Sequence, residues 1–242
     1  MLKVLGVDTA TRRCSVAVLI DDKPAVELER VSGQTHSVHL MPMIRDALAQ
    51  AELDLGEIDG FAVTVGPGSF TGLRIGISTV KGLAFAARKP CVGISTLEAL
   101  AYPCLPRPDP ICTFMDARKG EVYAAFFRGS GDRLQRIGEE QVAAPDEILR
   151  TISSPHLFVG DAVEIYRDRI RAVVGNCAVL APQEFCFPKA STVARLARGP
   201  LELAGSKGPG RLVPHYIRRS DAELKIKAPA PGDGYEKSGG YL

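Results

Sequence analysis

The chain has 242 residues, 45% of them apolar, with 30 basic and 28 acidic side chains for a formal charge of +2. That length suits two modest lobes, each with a core of its own, and the near-balance of charge excludes a dominant electrostatic pull toward nucleic acid. No run of about 18 apolar residues is present, so no membrane span is expected, and the opening MLKVLGVDTATRRCS lacks the basic start and continuous apolar run of a secretory leader. Cys14, Cys91, Cys104, Cys112, Cys177 and Cys186 form no C-x-x-C pair. The expectation is reduced, mostly buried thiols in a cytoplasmic protein.

Residues 2–7 read as a buried strand. A polar turn at 8–13 follows, then a second strand over 14–20 and, after Asp21-Asp22-Lys23, a third over 24–31. A helix is expected over about 35–52, with Pro42 marking a start or kink. A strand at 61–65 closes on Gly66-Pro67-Gly68. A long helix over about 70–88, a strand at 91–94 and a helix over 96–102 capped by Ser95 complete this half. Alternating prolines at Pro103, Pro106, Pro108 and Pro110 can continue neither a helix nor a central strand, so the stretch reads as a linker.

The order then restarts. Strands over 111–115 and 121–127 flank a hairpin at 116–120, and a third strand lies near 134–137. A helix over 145–152, a strand at 156–159 ended by Gly160, a helix over 162–173, a strand at 177–180 and a helix over 191–198 follow. Each half is therefore β-β-β-α-β-α-β-α, which is the outline of an α/β, two-lobed actin-like ATPase fold (ASKHA, ribonuclease H-like). The expected division is an N-terminal lobe at 1–103, a C-terminal lobe at 104–226 and a loose Pro- and Gly-rich tail at 227–242.

In ATPases of this fold a first-lobe hairpin wraps phosphate with backbone N–H groups and hydroxyls, and an acid holds the metal's water. Gly6-Val7-Asp8-Thr9-Ala10-Thr11 occupies that place, with Asp8, Thr9 and Thr11 suited to the role, although Asp and Thr are also common turn residues. The second-lobe hairpin, Asp116-Ala117-Arg118-Lys119-Gly120, is crowded by two long side chains where a phosphate cradle wants glycine. At the adenosine end stands Gly160-Asp161-Ala162, with one glycine and an acid in place of paired glycines. One phosphate element is present in outline, a vestigial loop, and two are eroded. No independent ATP hydrolysis and no cofactor are expected.

Gly66-Pro67-Gly68-Ser69-Phe70-Thr71-Gly72-Leu73-Arg74-Ile75-Gly76 is the most distinctive run. It makes a tight strand exit with Ser69 as helix cap, and it contains neither a Gly-Lys-Ser/Thr ending nor a G-x-S-x-G elbow. Along the helix it opens, Gly72, Gly76, Thr79, Gly82 and Ala86 form one stripe, although each glycine costs about 1 kcal/mol in a helix against alanine. Close approach of another backbone is the usual offset, either inside the lobe or at an interface. In the preceding helix Leu40, Met41, Met43, Ile44, Ala47, Leu48 and Ala51 spread over roughly 160°, wider than the ~100° that one sheet contact needs, which favours a partner. His36 and His39 sit three apart with no further ligands in view, so no metal is expected.

Five segments carry a resemblance to a known family: Leu5-Gly6-Val7-Asp8-Thr9-Ala10-Thr11; His36-Ser37 with Pro42; Gly66 to Arg74; Met115-Asp116-Ala117-Arg118 with Glu121-Val122-Tyr123; and Pro214-His215-Tyr216-Ile217-Arg218. Together they resemble the bacterial TsaB family over about residues 1–225. The resemblance implies a non-catalytic paralogue and partner of the catalytic subunit TsaD. With the ATPase TsaE, the two install threonylcarbamoyl on the adenosine beside the anticodon of tRNAs that read codons beginning with A. TsaD holds a metal through His-x-x-x-His; His36-x-x-His39 has a different spacing.

The family's two first-lobe helices meet the equivalent helices of TsaD, or of a second copy when alone. That implies an interface through His36, Leu40, Met43, Ile44, Ala47, Gly72, Gly76, Thr79, Gly82 and Ala86, and only indirect or weak contact with tRNA. On this reading Gly76→Arg abolishes pairing and leaves the fold largely intact. The rival readings are a stand-alone actin-like-fold ATPase or small-molecule kinase, and a homodimeric binding module.

Overall fold

The computed structural model describes residues 1–32, 34–204 and 212–218; the expected tail at 227–242 lies outside them. The first half folds as β1 (Lys3–Asp8), β2 (Arg13–Ile20), β3 (Lys23–Val31), α1 (His36–Gln50), β4 (Gly60–Gly66), α2 (Phe70–Ala87), β5 (Cys91–Ser95) and α3 (Thr96–Ala101). The second half folds as β6 (Ile111–Arg118), β7 (Glu121–Ser130), β8 (Arg133–Ala143), α4 (Pro145–Leu149), β9 (His156–Val159), α5 (Ala162–Ile165), α6 (Arg167–Val174), β10 (Ala178–Leu180), α7 (Ala190–Leu196) and α8 (Arg198–Ala204).

Each half builds a five-stranded sheet in the same order, β3-β2-β1-β4-β5 and β8-β7-β6-β9-β10. In both, the first three strands form an antiparallel meander and the last two run parallel to the first. Central strands covered on both faces read as continuous apolar runs, and their alternation sorts side chains between two layers. Leu5 and Val7 of β1 and Val16 and Val18 of β2 enter the core under α1 and α2. Val4, Ala17 and Leu19 enter a second core on the other face.

That second core is filled from the far end of the chain. Ala190, Val193, Ala194 and Ala197 of α7 and its C-cap pack on β1 and β2. The approach is so close that a Cβ at Gly6 would overlap the Ala190 carbonyl and come within 2.9 Å of the Ala194 Cβ. Gly6 is therefore glycine because a helix backbone lies on it. Conversely, Leu97, Leu100 and Ala101 of α3 join the second-lobe core with Ile111, Met115 and Phe127. The halves exchange their closing helices, so the expected division at 103/104 follows the chain but does not separate two packing units. Polar ties hold α7 in place: Arg13 donates to the Phe187 and Pro188 carbonyls at 2.9 and 3.0 Å, and Ser191 Oγ donates to Glu27 at 2.8 Å.

Three elements depart from expectation. β8 runs over eleven residues rather than four, as a largely exposed, charged edge strand. The helix expected over 162–173 breaks at Tyr166 into α5 and α6. A further helix, α8, follows Arg198; Pro200 sits in its first turn, where a missing N–H costs nothing.

Candidate partner face and inter-lobe cleft

The loop expected to be a vestigial phosphate element, residues 6–11, is turned inward. Asp8 and Thr9 are fully buried. Asp8 Oδ1 accepts from the Thr64 hydroxyl at 2.7 Å and the Ala10 N–H at 3.1 Å, while Oδ2 has no partner among the described residues. Burial raises its pKa to about 6, against the lowering pull of Thr64, Ala10, Arg13 and His36. Thr9 Oγ1 donates to the Gly72 carbonyl at 2.8 Å. Thr11 Oγ1 accepts from the Arg13 N–H at 3.1 Å. Of the three, Thr11 lines the cleft between the lobes; Asp8 and Thr9 do not.

That cleft measures about 750 Å³ and takes its walls from both lobes. On the second lobe Arg118, Lys119 and Gly120 are all left-handed, with φ of 61°, 56° and 77°. Gly160, also at positive φ, leaves no room for a Cβ beside the Phe114 carbonyl. Asp161 there accepts from the Asp116 N–H at 2.9 Å. Its pKa is raised, first by burial and further by the Asp116 charge. Asp116 Oδ1 likewise accepts from the Arg118 N–H at 2.8 Å, and Asp116, Arg118, Lys119 and Asp161 all line the cleft.

α2 starts cleanly, with Ser69 Oγ accepting the Gly72 N–H at 3.2 Å. Its glycine stripe divides in use. A Cβ at Gly72 would overlap the Thr9 carbonyl, and one at Gly76 would overlap Thr9 Oγ1; at Gly82 nothing lies within 4 Å. The first two glycines therefore serve internal packing, and Gly76→Arg would break the lobe rather than only a pairing.

α1 behaves likewise. Leu40, Met43, Ile44 and Ala47 are buried in the lobe's own core, and His36 Nε2 is 2.8 Å from the Thr11 carbonyl oxygen, tying the helix start to the loop. His39 is buried. Of the ten residues expected at an interface, Gly82 and Ala86 are exposed and Thr79 is half-buried; His36 is half-buried, and the other six are internal. The wide arc on α1 is real, but its inner part is used at home.

The outer face of α2 is composed of other residues. Thr71, Ile75, Ser78, Thr79, Gly82, Phe85 and Ala86 recur at helical spacing and include no charge. Phe85 is 76% exposed, and on neighbouring α1 Val38 and Met41 are 55% and 49% exposed. This stripe carries no charge over four turns, with the exposed Arg74 at its edge, and so differs from an ordinary solvated face. The signal was available in the sequence as the absence of Asp, Glu, Lys and Arg at those seven positions.

Two lobes of this topology facing each other across a cleft define an α/β protein of the actin-like ATPase (ASKHA, ribonuclease H-like) class. The model of the family TsaD, tRNA N6-adenosine threonylcarbamoyltransferase, matches residues 29–226. The chain is 30% identical over 227 residues to the tRNA threonylcarbamoyladenosine biosynthesis protein TsaB of Bacillus subtilis, covering 93% of this chain and 97% of that one. To the Escherichia coli protein of the same name it is 32% identical over 231 residues, covering 93% and 98%. Among solved structures, YeaZ from Pseudomonas aeruginosa matches with a TM-score of 0.75 at 29% identity, covering 90% of this chain and 100% of that one. The ethanolamine utilization protein EutJ from Carboxydothermus hydrogenoformans, at a TM-score of 0.50 and 10% identity over 81% of this chain and 90% of that one, is alike in fold alone. The chain belongs to the TsaB family, within the wider group that the TsaD model describes.

Proposed function

We propose that this chain is a non-catalytic subunit of the machinery that places threonylcarbamoyl on tRNA adenosine, and that it works by holding a TsaD-type catalytic partner. The observation that carries the reading is the uncharged stripe of Thr71, Ile75, Ser78, Thr79, Gly82, Phe85 and Ala86 on α2, bordered by Arg74, together with exposed Val38 and Met41 on α1. Small residues at Gly82 and Ala86 permit helix-to-helix approach, and Phe85 supplies the large exposed anchor that such a contact buries. A partner of the same fold presents the same two helices, so the contact is helix pair against helix pair. A second copy of this chain takes that place when no TsaD-type protein is present. The non-catalytic part of the reading is supported by the inward turn of Asp8 and Thr9 and by Asp161 bonding to the Asp116 backbone. A TsaE-type ATPase completes the set, and the tRNA is met through the catalytic partner.

The test is Gly82→Arg and, separately, Phe85→Glu. Both positions lie on an exposed surface, so Phe85→Glu leaves monomer stability within about 0.5 kcal/mol of the parent, and Gly82→Arg does not lower it, since it gains up to about 1 kcal/mol of helix propensity. Size-exclusion of each with TsaD-type protein should show the pair lost. Threonylcarbamoyl transfer to tRNA in the reconstituted system should fall with it. Pairing that survives both substitutions refutes the assignment of this face.

A further inference from the structure

The segment 212–218 attaches to both lobes within a few residues. On the first lobe, the His215 N–H donates to the Val65 carbonyl at 2.7 Å, and Leu212 is buried in the core under α1 and α2. The Tyr216 ring stacks on Phe70 with centroids 5.0 Å apart, and its hydroxyl accepts from Arg74 at 3.0 Å. Arg74 in turn lies over the Phe70 ring at 3.7 Å, an arrangement that adds cation–π attraction. On the second lobe, Ile217 packs against the core containing Met115 and Tyr123. Arg218 donates to the Ala117 carbonyl at 3.0 Å and pairs with Glu121 at 3.2 Å. His215 Nε2 also stands 3.3 Å from the buried Glu140 carboxylate, whose other oxygen accepts from Ser95 Oγ at 2.5 Å.

We propose that residues 212–218 are an inter-lobe latch that sets the width of the cleft and links the 116–121 hairpin to the first turn of α2. Only Tyr216 and Ile217 lie between His215, bonded to β4, and Arg218, bonded to the hairpin, about 10 Å of backbone when fully extended. So short a tether allows little separation of its two ends, so widening the cleft draws on one set of contacts or the other. The first-lobe set ends on Phe70 and Arg74, which begin α2, so strain at the hairpin reaches that helix without passing through either sheet. Charge-assisted donors such as Arg218 are the stronger hydrogen-bonding kind, which suits a fastening that must hold against lobe motion. The latch does not depend on the partner reading above; what it adds to that reading is a mechanical route from the cleft to the helix that carries the partner face.

The test is amide hydrogen exchange on the full chain with Arg218→Ala and Tyr216→Ala, read separately on each side of the cleft. Removing Arg218 takes away only second-lobe contacts. A latch requires exchange to quicken about tenfold or more at residues 65–74 and at His215, which Arg218 does not touch. Removing Tyr216 must reciprocally deprotect 116–122. Changes confined to the side of the substitution, or no change, overturn the proposal. Should Arg218→Ala quicken exchange throughout β1 and β2 as well, Arg218→Lys is read by the same two regions and the same criterion, since it keeps the charge opposite Glu121 but not the forked donor.

Discussion

Asp8 offers the sharpest quantitative handle, because its carboxyl is fully buried and one of its two oxygens has no partner among the described residues. Its pKa of about 6 lies roughly two pH units above the ordinary carboxylate value of 3.8. At 1.36 kcal/mol per unit, the folded state favours the neutral form by about 3 kcal/mol. The sign follows from the raised value. The folded chain binds this proton more tightly than the unfolded chain, so the contribution is fully present below about pH 4 and is lost as pH rises through about 6. Asp8→Asn removes the titration while keeping an oxygen for Thr64 and Ala10. Urea unfolding of both proteins between pH 4 and 7.5 should show the variant gaining up to about 3 kcal/mol on the parent as pH rises. Asp161 and Glu98, whose pKa values are raised as well, chiefly by burial, contribute slopes of the same sign but cancel in the difference. The amide's own unsatisfied hydrogens shift the difference by a constant of about 1–3 kcal/mol and leave its slope alone. A stability difference that stays flat within about 0.5 kcal/mol across that range refutes the burial argument.

Two other expectations concern α2. Gly82→Ala, with open space for its methyl, should stabilise the isolated chain by about 1 kcal/mol in urea unfolding, whereas Gly76→Ala should destabilise it by about 1–3 kcal/mol despite the same propensity gain, because Thr9 cannot withdraw from its bond to Gly72. Ser69→Ala removes the acceptor for the Gly72 N–H and should cost about 1 kcal/mol by the same assay.

Much of the architecture was legible before any coordinates. The double β-β-β-α-β-α-β-α order holds in the first half and, apart from the split into α5 and α6 and the added α8, in the second, because buried strands announce themselves as apolar runs and the glycine and proline punctuation at Gly66-Pro67-Gly68 and 103–110 separates them. What was not legible is where a buried helix face goes. Ala190, Val193, Ala194 and Ala197 declare a face that must be covered, but a periodic pattern does not say which sheet covers it, and the sheet turned out to be the one at the other end of the chain. The same blindness affected the partner face. The 160° arc on α1 and the small-residue stripe on α2 point to the helices proposed above to carry it, yet Leu40, Met43, Ile44, Gly72 and Gly76 are used inside the lobe. Apolar character marks burial of either kind. The discriminating feature is the lack of charge at positions that also point outward, and Phe85 and Met41 carry it.

The residues that outline a phosphate loop acquire a different physical purpose in this arrangement. Thr9 is the pivot: its hydroxyl holds the Gly72 carbonyl, and its side chain fills the space that glycine leaves at position 76. α2 is thus pinned to the loop along its inner face, its first turn is clasped by Tyr216, and beyond Arg74 its outward stripe from Ile75 to Ala86 carries no charge. A helix fixed this way cannot rotate or slide independently of the lobe. Its exposed face is consequently presented as a rigid surface, which lowers the ordering cost of a helix-pair contact on that side. Restoring an open phosphate cradle would require freeing Thr9 and Asp8 from α2 and Thr64, and so would loosen the very helix on which the proposed partner contact depends. In this chain, the anchoring of α2 and an open first-lobe phosphate site therefore compete for the same hydroxyl, that of Thr9.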